Sequence, residues 1–180
     1  MSRRLTVDEY FRYPETLRPN ELVFGLVREP PAPRYGHQSI VTRVTVMLDL
    51  HVRARGLGTV CVSPVDVVLD YKDALVVQPD VLFVSAERLD IIRDRVWGPP
   101  DLVVEVLSRR TARRDRGEKL HWYRRYGVRE CWLLDQTSHR VEVVGFPAHG
   151  RNGRHAYRGA EVVRSSVLPD FSIPAREFFE

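Results

Sequence analysis

The sequence predicts an α/β fold, a mixed β-sheet with a helix on each face. Three observations predict it. Residues 102–107 (LVVEVL) form an almost unbroken apolar run, the pattern of a central strand covered on both sides. A helical stretch over 112–126 and a strand pattern over 128–135 follow it, giving a strand–helix–strand unit with a parallel pair and a right-handed crossover. A second helical pattern over 37–55 can cover the other face.

The elements follow in order. Thr6-Val7-Asp8-Glu9 is a capping-box pattern that opens a short helix ending before Pro14. Residues 21–29 (ELVFGLVRE) read as one strand with a glycine kink, followed by a loop containing Pro30, Pro31 and Pro33. In the helix at 37–55, Ile40, Val44, Met47, Leu48 and His51 fall on one stripe, and Gly56 and Gly58 end it. Three β-type runs come next, at 59–63, 65–71 and 76–84. The last contains Pro79, which marks a strand start, an edge or a bulge. Residues 86–95 read as a short helix or a turn, and Trp97-Gly98-Pro99-Pro100 as a break. Thr111 can cap the helix at 112–126, and Gly127 sits where a left-handed C-terminal residue is needed. Residues 140–146 return as an antiparallel strand, and 147–160 read as a loop or hairpin. A strand at 165–171 and a helical turn at 175–180 complete the expectation.

Composition narrows the function classes. The chain has 180 residues, 43% hydrophobic and 29% charged, which suits a single domain, 1–180, with a sizeable core. It lacks an apolar run of the roughly 20 residues a membrane span needs, and its first residues do not read as a signal peptide, so a cytoplasmic protein is expected. Cys61 and Cys131 form no CxxC pair and read as buried thiols. The six histidines lack zinc-site spacing. The net charge of +4 is compatible with a polyanionic partner without requiring one. Lys72 and Lys119 are the only lysines among 28 basic residues. A retained lysine can mark a place that needs a compact point charge instead of a planar fork.

The residue out of place is Glu105, a carboxylate inside the most apolar strand. A buried carboxylate becomes protonated, pairs with a cation or binds a metal. Glu105 therefore reads as the partner of an arginine, as a group facing a solvated cleft, or as a metal ligand. Asp80, after Pro79 in a strand pattern, is either a turn residue or a second acid for the same site. Two carboxylates on neighbouring strands make a hard oxygen site suited to Mg²⁺. Lys119 shares a helix face with Asp115, Trp122 and Tyr123. The line Leu120–Tyr123–Gly127 is expected to face the sheet, with Lys119 at its rim and within reach of the Glu105 cleft. A surface pair between Asp115 and Lys119 is the plainer alternative. Asp80, Glu105 and Lys119 together suit metal-assisted phosphodiester hydrolysis.

The series Pro79-Asp80, Glu105-Val106-Leu107-Ser108, Asp115 with Lys119-Leu120, Tyr123, Gly127-Val128 and Glu130–Asp135 resembles the PD-(D/E)xK restriction-endonuclease-like superfamily. Within it the chain is similar to the Uma-two type of bacterial endonucleases, with 21–25, 30–38 and 165–173 adding to the match. The resemblance implies a restriction-endonuclease-like mixed sheet flanked by helices, with extra N-terminal and C-terminal β elements. It implies a Mg²⁺-dependent endonuclease acting on DNA, with Mn²⁺ a possible substitute, working as a homodimer. It carries Asp80 and Glu105 onto the metal positions. The superfamily lysine normally stands two residues after the glutamate. Here Leu107 holds that position, and Lys119 would act in its place. Glu21 and His37 also fall on family-like motifs. Glu21 is a strand-start charge or an additional acid; His37 is a structural histidine or a substrate contact; Asp115 is a further auxiliary candidate. Arg109, Arg110, Arg113 and Arg114, with Arg116, form a basic cluster that is either solvated charge or a nucleic-acid contact. The leading alternative function is a nucleic-acid-binding or regulatory protein on a nuclease scaffold without catalysis. A third is an interaction module in which Glu105 makes an ordinary salt bridge.

Overall fold

The apolar run at 102–107 lies at the centre of the molecule. The structure, a computed structural model, describes residues 3–14, 20–108, 115–147 and 153–180, with the side chain of Asp115 left out. The chain order is α1 (Val7–Phe11), β1 (Glu21–Val23), β2 (Leu26–Arg28), α2 (Tyr35–Arg55), β3 (Gly58–Val62), β4 (Val67–Asp70), β5 (Leu75–Val77), β6 (Val81–Ser85), a 3-10 turn (Ala86–Ile91), β7 (Val96–Trp97) and β8 (Leu102–Leu107). A π-helical turn (Asp115–Lys119), α3 (Leu120–Tyr126), β9 (Glu130–Asp135), β10 (Arg140–Gly145), β11 (Gly153–Arg158), β12 (Val162–Val163), β13 (Ile173–Pro174) and a final 3-10 turn (Ala175–Phe178) follow.

The main sheet has six strands in the order β11-β10-β9-β8-β6-β3. β8 and β9 are parallel, as the strand–helix–strand reading requires, and β8 and β6 are antiparallel. Every residue of β8 is buried. On one face Val104 and Val106 pack with Val44, Leu48 and Val52 of α2 and with Phe171 and Phe178 near the C-terminus. On the other, Val103 and Leu107 pack with Leu120 and Tyr123 of α3. The two expected helices do cover opposite faces. A second sheet of five strands, β2-β1-β5-β4-β7, lies beside the α3 layer, and α1 packs on its far side. The Thr6–Glu9 capping box is formed, and Gly56 and Gly127 are left-handed C-caps.

Three expectations change. The strand at 21–29 is a hairpin, because Phe24 (φ 49°) and Gly25 (φ 82°) reverse the chain. The run at 76–84 is two strands in two different sheets. Pro79 has no N–H for a ladder, so the run breaks at Gln78–Asp80 and passes from β5 to β6. Residues 165–171 form no strand. The Ser166 N–H donates to the buried carboxylate of Glu130 (2.7 Å), and the Val167 and Leu168 N–H groups donate to Ser165 Oγ (3.1 and 3.0 Å). The start of the helix expected at 112–126 falls outside the described residues. Its next turn is π-helical, and α-helix begins at Leu120. Of the loop or hairpin expected at 147–160, the hairpin reading fits: Gly153–Arg158 is edge strand β11, antiparallel to β10. No described helix is long and apolar enough to cross a membrane.

The entry to β8 is held by Asp101, which is fully buried. It accepts from the Ser85 N–H (2.8 Å) and pairs with Arg88 (2.9 Å) and Arg129 (3.1 Å). Burial raises its pKa, but the Ser85 N–H and Arg88 outweigh that and leave it lowered. Its contribution to stability is present above the ordinary carboxylate value and is lost as pH falls through the lowered folded value. Asp101→Ala is expected to cost about 3 kcal/mol, the low end for breaking a buried pair, since Arg129 is half exposed. Urea denaturation at neutral pH measures it, and a loss under about 1 kcal/mol, the level of a surface pair, contradicts it.

Candidate functional site

The site forms where the chain passes between the two sheets. Val81 pairs with Val104 across the antiparallel β6–β8 ladder. Asp80 is the residue just before β6, outside the ladder itself. The carboxylate of Asp80 accepts from the Val106 N–H (2.7 Å), which fixes it against the β8 backbone. Pro79 makes this possible by ending the ladder of β5 just before Asp80.

Glu105 is 3% exposed. Its Oε1 accepts from Lys119 Nζ (2.8 Å) and from the Tyr123 hydroxyl. Lys119 and Tyr123 are four residues apart at the start of α3, so both side chains reach the same oxygen. Lys119 is not at the rim. It is 5% exposed, and its Nζ also lies 3.0 Å from Glu21 Oε1. Of the expected pairings of Glu105, the cation beside it is therefore this lysine. Glu21 is more than a strand-start charge. It is 2% exposed on β1, and its Oε1 also accepts from the Gln78 N–H (3.1 Å). Gln78 in turn accepts from the Asn20 N–H (3.0 Å) and donates to Asp66 (2.9 Å), which ties the hairpin to the break before Asp80. Arg28–Glu118 (2.8 Å) joins the same hairpin to the π-helical turn.

His37, in the first turn of α2, approaches Asp80 from the other side, with Nε2 3.3 Å from Oδ2. Glu21, Glu105 and Lys119 therefore meet in one buried group from β1, β8 and the end of the π-helical turn, while His37 and Asp80 pair from α2 and the β5–β6 break, tied to β8 at the Val106 N–H. Tyr123 is the member that sequence reasoning placed on the sheet side without giving it a part in the site. Its spacing from Lys119 was the available signal. Leu107 shares the Glu105 face, 2% exposed and packed in the core. Arg109, Arg110, Arg113 and Arg114 lie outside the described residues, as does the Asp115 side chain. Arg116 is described and pairs with Asp135 (3.0 Å).

Among the described residues, no three His, Cys, Asp and Glu side chains form a ready metal cluster. The donor set still fits a hard divalent cation. Mg²⁺ is commonly bound by only one or two carboxylates and keeps several waters. Asp80, held at the Val106 N–H, and Glu105 supply two carboxylates along β8, and Lys119 adds a positive charge beside Glu105.

The pKa of His37 carries a sign that can be checked. Burial lowers it, but the hydrogen bond and charge of Asp80, with Gln38 and the Val106 backbone, outweigh burial and raise it above 6.5. Protonated His37 therefore stabilises the fold. The contribution is complete below the unfolded value near 6.5 and disappears as pH rises through the folded value. The stability gap between the protein and His37→Gln, from urea denaturation, is expected to be larger at about pH 5 than at about pH 9. A gap independent of pH contradicts this.

Comparison with known proteins agrees with this architecture. A crystal structure described as "a putative nuclease" from Anabaena variabilis ATCC 29413 superposes with a TM-score of 0.81 at 17% identity, covering 97% of each chain. At that identity the likeness shows a shared fold. No curated protein gives a match. A family profile, Uma2, matches residues 7–176, nearly the whole chain. The chain belongs to this family, which is described as "Putative restriction endonuclease".

Proposed function

We propose that the protein is a divalent-metal-dependent endonuclease that hydrolyses phosphodiester bonds in DNA. The family and the shared fold support a nuclease. The observation that carries the finer reading is the Lys119 ammonium 2.8 Å from the buried Glu105 carboxylate, with Asp80 held to β8 at the neighbouring Val106 N–H. The chain acts as one domain, 1–180, in the cytoplasm and as a homodimer. Mg²⁺ is its cofactor, and Mn²⁺ can substitute.

Asp80 and Glu105 would hold the cation, which polarises a phosphoryl oxygen and lowers the pKa of a bound water. The other residues position and balance charge. Lys119 stabilises the negative charge that develops on the phosphoryl group. Glu21 and Glu105 fix its ammonium from two sides, so it needs little rearrangement as the reaction proceeds. Tyr123 donates to Glu105 Oε1 and sets the orientation of that carboxylate. The Val106 N–H does the same for Asp80. His37 holds Asp80 from the α2 side. Arg109, Arg110, Arg113 and Arg114 contact the nucleic-acid backbone, and Asp115 is auxiliary.

The second reading is a nucleic-acid-binding scaffold without catalysis. Leu107, buried in the core at the position where the superfamily has its lysine, favours it. Turnover separates the two.

Supercoiled plasmid with Mg²⁺ or Mn²⁺, followed on gels, provides the test. Cleavage by the unaltered protein is expected. Asp80→Asn and Glu105→Gln are expected to abolish it, and Lys119→Met to slow it by about 100-fold or more. Full activity in Glu105→Gln or Asp80→Asn removes this site assignment. Salt-sensitive DNA binding with no metal-dependent cleavage favours the inactive scaffold, and the same assay on RNA decides the substrate. Tyr123→Phe is expected to weaken metal binding about 10- to 100-fold, measured by calorimetry, as for other residues that orient a ligand. Unchanged metal affinity contradicts that role.

A further inference from the structure

β10 and β11 carry a group of arginines on the same face of the main sheet as Glu105. The register shows this. Glu105 pairs with Leu133, Leu133 with Glu142, and Glu142 with Ala156. Paired residues share a face, so Glu142 lies two strands from Glu105, about 10 Å away along the sheet. Its neighbours on that face are Arg140 on β10 and Arg154 and Arg158 on β11, and Arg116 reaches in from the π-helical turn.

Glu142 is 5% exposed and sits beneath these arginines. Arg154 grips its Oε1 through Nε (2.6 Å) and Nη2 (2.5 Å). Arg140 Nη2 and Arg116 Nε approach its Oε2 at 3.6 and 3.7 Å, too far for hydrogen bonds. Arg116 also pairs with Asp135 (3.0 Å). Three arginines thus stand over two carboxylates, with Arg158 beside Arg140 on the same face. Each guanidinium has five N–H donors, far more than Glu142 and Asp135 can accept, and Arg140 Nε has no acceptor among the described residues. Charge placed only to keep an edge strand apart from other chains needs no buried carboxylate to order it, and lysine serves that purpose well. Ordered planar forks are what phosphate recognition uses.

We infer that this flank of the sheet is a contact surface for the sugar–phosphate backbone of nucleic acid, with Arg140, Arg154 and Arg158 as phosphate contacts and Glu142 as the residue that orders Arg154. The inference rests on the nuclease reading and extends its substrate path from Glu105 towards β11.

Binding of a short fluorescent DNA duplex by the full chain, with Ca²⁺ in place of Mg²⁺, is measured by anisotropy over a series of salt concentrations. Each lost phosphate contact lowers the slope of log K against log salt by about 0.9. Arg154→Ala with Arg158→Ala is expected to lower the slope by about 2 and to weaken binding at every salt concentration. Arg154→Lys, which keeps the charge, is expected to retain the slope. Arg53→Ala removes the same charge from α2, which packs on the opposite face, and is expected to leave the slope unchanged. Arg158→Ala alone guards against misfolding, because that side chain is exposed. A protein that binds and cuts DNA, but whose slope is untouched by the arginine variants or falls equally in Arg53→Ala, overturns the surface and leaves the nuclease reading intact. A protein that neither binds nor cuts DNA overturns both.

Discussion

The ammonium of Lys119, held between Glu21 and Glu105, is the interaction on which the site depends. All three groups are almost wholly buried, so each carboxylate needs its cation and the cation needs both. Removing any one leaves charge in a place where unpaired charge is costly. The arrangement joins elements that pack from different directions: β1 from the smaller sheet, β8 from the larger, and the π-helical turn before α3. The position of Lys119 is thus set by the docking of two sheets, and the Arg28–Glu118 pair and Gln78 hold the same junction from either side.

The chain break at Gln78–Asp80 has a matching role on the other flank. A continuous strand from Val76 to Val84 would have bound its backbone in one ladder. Instead Pro79 ends one sheet's ladder, and Asp80 stands free of regular pairing with its carboxylate on the Val106 N–H and near His37. Around Glu105 within β8, the site is made from ends: the end of a strand, the first turn of α2 and the last residue of a π-helical turn. π-helical turns recur at functional sites, where one extra residue re-aims a side chain.

Much of this was legible in the sequence. The single acid in an apolar strand, the acid after Pro79 and the scarcity of lysine pointed to Glu105, Asp80 and Lys119 as candidates, and burial is what made Glu105 stand out. The two covering helices and the parallel β8–β9 pair followed from periodicity and spacing. What was not legible depended on contacts far apart in the chain. Nothing local to Glu21 says that β1 pairs with β5 and so faces Lys119. The hairpin at Phe24–Gly25 was missed because a left-handed phenylalanine carries no sequence signal of a turn. The expected strand at 165–171 failed because Ser165 and Ser166 bind Glu130 from across the fold, and that partner is invisible to a local pattern. Tyr123 was placed correctly on the sheet side, but a tyrosine there reads as core until its hydroxyl is seen against Glu105.

The arginines of β11 also govern how copies of the protein can meet. Among the described residues β11 is an edge of the main sheet, exposed at five of its six residues, and such an edge can template pairing with another chain. A second copy adding its own β11 there would bring Arg154 and Arg158 against the same residues of its neighbour. Like charges facing each other across a ladder oppose that union. The main sheet is thereby discouraged from growing by strand addition at this end, and association of two copies has to be built from side chains on some other surface.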